Sequence, residues 1–310
     1  MKKSILLLSL LALNFYSFGQ GVPNGSFETW TSFTASGGTG EYPTGWVTTD
    51  SITKANGGVQ SAWKGTDSYN GAFSLHLKTS QITTIFGQIK GPAIATNGLV
   101  QLVGASFVFS GGSQESNRPR YYSGNYKYNQ GAAGDSGEVS IVLYRRNPMS
   151  GNRDTIAAGF LSITPSVNYS PFLVMMNYRD FVNAPDTCFI LLQSSIGTLN
   201  GSKVALNSEL VVDSMNIVGT VGIDETNTAI KSLSIFPNPS SDFITIEADL
   251  TSVQKLSFDI FDNRGRWIRS GKMGSNKETI EVADLSIGQY VLKLNGNGKP
   301  LSAKSFTITR

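Results

Sequence analysis

Phe73-Ser-Leu-His-Leu-Lys78 alternates apolar and polar residues without a break, the pattern of a strand with one face in a core and the other turned away from it. Leu75 and Leu77 therefore share the core face. Ser74, His76 and Lys78 share the opposite face, which the pattern predicts to be polar and solvated. Outward from this segment, Leu99-Val-Gln-Leu-Val103, Ser106-Phe-Val-Phe109, Glu138-Val-Ser-Ile-Val-Leu-Tyr144, Cys188-Phe-Ile-Leu-Leu192 and Glu209-Leu-Val-Val-Asp-Ser-Met-Asn-Ile-Val218 are short runs rich in β-branched and aromatic residues, separated by Gly/Ser/Asn breaks. No stretch keeps a 3.6-residue period for three turns. Without crossover helices a parallel sheet has no way to form, so two packed antiparallel sheets of jelly-roll type are expected for residues 20–219.

Composition agrees with an all-β chain. Charged residues make up 15% of the 310 residues, and 33 Gly with 11 Pro imply many turns and short elements. The formal net charge of +3 is too small and too dispersed to track a phosphate backbone, which argues against nucleic acid as a partner. The single cysteine, Cys188, excludes an internal disulfide and a thiolate-built zinc site. The single histidine, His76, excludes imidazole-rich metal centres and leaves it as the one residue through which Ser/His/Asp or Cys/His catalysis could run. A glycosidase working through two carboxylates needs no histidine, so that class stays open.

Met1-Lys-Lys-Ser followed by Ile5 to Leu13 is a basic segment and a short apolar core, with Ser17 and Gly19 supplying small residues before Gln20. Residues 1–19 read as a secretory signal, since the apolar run is too short to span a bilayer. At the other end, Thr220 to Ala229 is polar and aperiodic, and residues 220–230 are the expected linker. Seven strand-like runs follow within residues 231–310, from Leu233-Ser-Ile-Phe236 to Ser305-Phe-Thr-Ile-Thr309. That density of strands fits a smaller immunoglobulin-like sandwich.

Four segments of this tail stand in a characteristic order: Phe236-Pro-Asn-Pro-Ser-Ser-Asp-Phe-Ile-Thr-Ile246, Ile260-Phe-Asp-Asn-Arg-Gly265, Leu285-Ser-Ile-Gly-Gln-Tyr-Val-Leu-Lys-Leu294 and Phe306-Thr-Ile-Thr-Arg310. The tail resembles the C-terminal sorting domain of the type IX secretion system. The resemblance implies passage through the periplasm and the outer membrane of a Bacteroidetes-type bacterium by that machinery, then release or attachment at the cell surface. Within the body, Asn24-Gly-Ser-Phe-Glu-Thr-Trp30, Tyr42-Pro-Thr-Gly-Trp46, Gly71-Ala-Phe-Ser-Leu-His-Leu77, Arg118-Pro119 with Gly124-Asn-Tyr-Lys-Tyr128, and Val212-Asp213 resemble the carbohydrate-metabolism domain of Bacteroidetes surface proteins and jelly-roll carbohydrate-binding modules.

In such modules a calcium ion often pins the first strand to the last. Carried over residue by residue, the resemblance implies Glu28 and Asp213 as side-chain ligands of a structural calcium, with backbone carbonyls near Asn24 and Ser74; the alternative is two exposed carboxylates at strand ends. The segment Arg118-Pro-Arg-Tyr-Tyr-Ser-Gly-Asn-Tyr-Lys-Tyr128 interleaves tyrosines with guanidinium groups. Sugars stack their C–H faces on aromatic rings and accept hydrogen bonds from Arg, so Arg118, Arg120, Tyr122, Tyr126 and Tyr128 are candidate glycan contacts. Core packing is the competing fate of the tyrosines. Trp63, expected in a loop within Gln60-Ser-Ala-Trp-Lys-Gly65 where it could offer a ligand platform, and His76, as a hydrogen-bond donor, complete the candidate set. Glu115, Asp135, Glu138, Asp154, Asp180 and Asp186 are the carboxylates a hydrolase or lyase could pair. The expectation is a secreted or cell-surface, non-catalytic carbohydrate-binding protein, with a glycosidase or lyase and a surface adhesin as alternatives.

Overall fold

The computed structural model describes residues 21–310 except 36, 56–58, 85–86, 104–105, 198–202, 221–229 and 253–254; the signal segment and most of the linker lie outside the described residues. Among the described residues the chain is all-β, with one six-residue helix, Asp50–Ala55. In the body a seven-stranded antiparallel sheet takes the order Asn177–Tyr178, Arg153–Ile163, Gly137–Arg146, Thr187–Gln193, Ile94–Thr96 and Val47–Thr48, with Ser113–Gln114 pairing beside Thr187–Gln193. A five-stranded antiparallel sheet faces it, in the order Ser166–Met175, Pro119–Asn129, Glu209–Thr220, Ser74–Lys78 and Ala62–Gly65.

The core between them is built by alternation. Val139, Ile141, Leu143, Ile190 and Leu192 from the first sheet meet Leu75, Leu77, Tyr122, Phe172, Leu210 and Val212 from the second, all buried. The strands expected from the sequence form, and three longer ones join them: Pro119–Asn129, Arg153–Ile163 and Ser166–Met175. Hairpins decorate the sandwich, among them Leu99–Val103 with Ser106–Ser110.

The tail repeats the plan on a smaller scale. Ile230–Phe236, Phe243–Leu250 and Lys277–Glu281 form a three-stranded sheet, and Trp267–Met273, Leu256–Asp262, Gly288–Gly296 and Lys299–Ile308 a four-stranded one. Their shared core includes Ile244, Ile246, Ile260, Leu292, Phe306 and Ile308.

The two sandwiches touch. Tyr121, Leu173 and Val218, on the outer face of the body's five-stranded sheet, form one buried cluster with Phe261, Val291 and Ala303 of the tail's four-stranded sheet. The molecule is thus a stack of four sheets, with the five-stranded and four-stranded ones in the middle. Among the described residues, no further sheet packs on the outer face of the seven-stranded sheet, which the hairpin of Leu99–Val103 with Ser106–Ser110 partly covers.

Candidate functional site

The outer face of the seven-stranded sheet carries a cavity. Strand alternation that sends Leu143, Ile190 and Leu192 inward sends Val142, Tyr144 and Phe189 outward. The Ser106–Ser110 strand then folds Phe109 back over this face, with its ring 6.0 Å from that of Phe189. Phe109, Val142, Tyr144, Arg153, Thr155 and Phe189 line a depression of ≈ 210 Å³. The Arg153 guanidinium lies 4.7 Å from the centre of the Tyr144 ring. The Tyr144 hydroxyl donates to the Gly111 carbonyl, which anchors the segment leading out of the hairpin. Phe160, 60% exposed, extends the apolar strip along the same face. Two partly exposed phenylalanine rings, one guanidinium and the Thr155 hydroxyl around a shallow trough are the makings of a surface that stacks on flat apolar faces and donates hydrogen bonds, while Tyr144 itself is buried beneath Arg153. No carboxylate is among the lining residues.

The residues expected to contact a glycan do not converge. Tyr122 is fully buried, with its hydroxyl 3.2 Å from Cys188 Sγ. Tyr126 packs on Phe172 with ring centres 6.3 Å apart, and its hydroxyl lies 3.4 Å from Thr164 Oγ1. The Tyr128 hydroxyl donates to Asp135 Oδ2 at 2.8 Å, and burial raises its pKa. These three tyrosines belong to the core between the sheets, which corrects their assignment as sugar platforms: no ring face is open to a ligand. Arg118 stacks on Tyr178, 4.8 Å from the ring centre, and donates to the carbonyls of Asn183 and Asp180. It staples a loop. Arg120 is exposed at the start of its strand.

His76 and Trp63 do meet, and Trp63 lies in the strand Ala62–Gly65 and not in the loop expected for it. Their rings are 5.2 Å apart at 30° on neighbouring strands, and His76 Nδ1 lies 2.9 Å from Glu209 Oε1. Alternation places His76 opposite Leu75 and Leu77 as expected, but only 9% of it is exposed, so that position is not solvated. Trp63 covers it, and a Cβ at Gly65 would come within 2.1 Å of His76 Nε2. Only glycine leaves room for the imidazole there. The hydrogen bond from His76 holds the Glu209 carboxyl below its ordinary pKa, against the opposing effect of partial burial.

Glu28 and Asp213 reach the same loop, residues 67–73. Asp213 is fully buried and accepts from the backbone N–H groups of Tyr69 (2.7 Å), Asn70 (3.0 Å) and Ser214 (2.5 Å). Burial raises its pKa while those N–H groups oppose the rise. Glu28 accepts from Ala72 and Phe73. The two carboxylates are therefore not exposed strand ends. N–H groups aimed at the same oxygens compete with a cation for their lone pairs. As built, the two carboxylates clamp the loop through its backbone N–H groups.

The carboxylates weighed for hydrolysis are individually engaged. Asp135 accepts from Tyr128, Ser195 and Ser208 inside the body. Glu138 accepts from Ser140, Asp154 from Asn147, and Asp186 from the Arg146 N–H. Glu115 accepts from the Asn117 N–H. Asn183 and Val182 hold Asp180 at a pKa of about 2, too acidic for a general acid near neutral pH.

Residues 234–309 match the family of secretion system C-terminal sorting domains. The tail is such a domain, and it marks the chain for secretion or attachment at the cell surface. No helix among the described residues is long and apolar enough to cross a membrane. No curated protein matches the sequence. Among solved structures, the chain is similar to a Bacteroides thetaiotaomicron protein described as a glycoside hydrolase, at 12% identity and a TM-score of 0.45, covering 56% of this chain and 62% of that one. It is also similar to the Endo-D glycoside hydrolase domain of Streptococcus pneumoniae, at 10% identity and a TM-score of 0.30, covering 84% and 36%. A β-1,2-glucanase from Parabacteroides distasonis matches at 10% identity and a TM-score of 0.29, covering 80% and 34%. The chain therefore spans less than two thirds of each of these structures.

Proposed function

We propose that the body is a non-catalytic carbohydrate-binding sandwich, displayed or released by the type IX machinery, and that it holds glycans in the depression on its seven-stranded sheet. The observation that carries this reading is the trough of Phe109, Phe189 and Tyr144 with Arg153 and Thr155 beside them. Aromatic faces supply stacking, and the guanidinium with the threonine hydroxyl supplies directional hydrogen bonds to sugar hydroxyls. A lining without carboxylates favours holding a sugar over cleaving it, since hydrolysis by the usual route needs an acid and a base or nucleophile flanking the bond.

The test is a glycan array probed with the full chain, alongside Phe109→Ala and Phe189→Ala, with release of reducing ends measured on every hit. Binding by the parent that both variants lose, without new reducing ends, is the expected result. Turnover would convert the reading to a glycosidase or lyase. Self-association without glycan binding would favour an adhesin.

A further inference from the structure

We infer that the sorting domain is docked on the body as a separable subunit, held by the contact between the two middle sheets and not by the linker. Six side chains from six strands and two domains close this contact: Tyr121, Leu173 and Val218 on one side, Phe261, Val291 and Ala303 on the other. None is more than 9% exposed. An apolar patch of this make-up has reason to stay covered, because uncovering it returns each of these groups to water.

The fit is close at its edge. The turn around Gly265 presses on the body so tightly that a Cβ there would stand 2.0 Å from the Leu173 carbonyl oxygen. With φ at +78°, this position suits glycine on conformational grounds as well. Lys293 and Asp259, directly paired across neighbouring strands of the same tail sheet, form an ion pair at 3.2 Å, with Lys293 5% exposed. Asn295 also donates to Asp259. Both charges are satisfied within the tail itself. Separation therefore strands no charge on the body, and the tail's docking face carries groups that water accepts. An interface whose polar groups are paired inside one partner, and whose cross-domain contacts are apolar and close-fitting, is one that two folded pieces can make without a peptide bond between them.

The experiment inserts a protease site flanked by Gly-Ser spacers within residues 221–229 of the full chain, cuts to completion as judged on a denaturing gel, and runs the product on a sizing column at micromolar concentration. Body and tail are expected to co-elute. Ala303→Glu, on the edge strand of the tail sheet, and Val218→Asp, in the body, are each expected to abolish co-elution of the cut protein while circular dichroism stays that of two β-sandwiches. Separation of the cut parent chain would overturn the inference, as would co-elution that survives both folded variants. If one variant unfolds, the parent chain and the other variant, altered in the opposite domain, still decide.

Discussion

The two outer faces of the body teach opposite lessons about exposed rings. On the five-stranded sheet, Tyr121, Leu173 and Val218 are covered by the tail, while Asp213 and Glu28 tie down the loop 67–73 and Trp63 shields His76. On the seven-stranded sheet, Phe109 and Phe189 are partly exposed and Phe160 is 60% exposed among the described residues. The first face uses its apolar groups to hold the molecule together. The second keeps them available. What separates the two roles is whether something elsewhere in the chain comes to cover the face, and not the residue types themselves.

The sharpest way to break this contrast is to treat a core tyrosine as though it were a contact residue. Tyr122→Ala empties a fully buried site and is expected to cost about 3–5 kcal/mol, enough to unfold a marginal domain. The measurement is chemical denaturation followed by circular dichroism. A folded variant of parent stability that had lost only glycan affinity would return Tyr122 to the binding surface. In contrast, Phe189→Ala on the open face is expected to weaken glycan binding roughly tenfold by removing a stacking ring, with a much smaller change in stability because the side chain is half-exposed. Titration calorimetry against an array hit reads the first effect and thermal unfolding the second.

The open and closed faces were not equally legible in the sequence. Alternation in Phe73–Lys78 put Leu75 and Leu77 in the core correctly, and the seven short runs of the tail became its seven strands. The same rule applied to residues 121–128 gives Tyr122, Tyr126 and Tyr128 one parity and Ser123, Asn125 and Lys127 the other, but parity alone does not say which face is covered. Phe189 carried a signal too, because the unbroken apolar run Cys188–Leu192 places large groups on both faces of its strand. Nothing local shows that Phe109 folds over Phe189, or that Trp63 closes over His76. Those contacts join elements distant in the chain, and only the assembled sheets bring them together.

A smaller effect tests the closed face at its far edge. Glu209 has its carboxyl pKa lowered mainly by the hydrogen bond from His76. A carboxylate with a folded value below its unfolded one adds stability that is present above the unfolded value of about 4.5 and is lost as pH falls through the folded value. Glu209 is partly solvated, so the contribution is less than about 1 kcal/mol. The thermal midpoint of the parent is expected to fall between about pH 5 and pH 3 by more than that of Glu209→Gln. Parallel pH profiles would show that the pair on this face contributes nothing to holding it shut.

The smallest expected effect is none at all, and it decides what pins the loop 67–73. If Asp213 and Glu28 hold that loop through backbone N–H groups, millimolar calcium and excess chelator leave the unfolding midpoint where it was. A cation bound at about 100 times its Kd would instead add about 2.7 kcal/mol, a shift that calorimetry resolves easily. The same loop separates the two explanations by mutation. Asp213→Asn keeps one acceptor oxygen where two were filled by N–H groups, so it is expected to loosen the loop and destabilise the body by about 1–3 kcal/mol whether or not calcium is present. A penalty that appeared only in calcium-containing buffer would mean that the N–H groups give way to an ion, and that the closed face is closed by a metal.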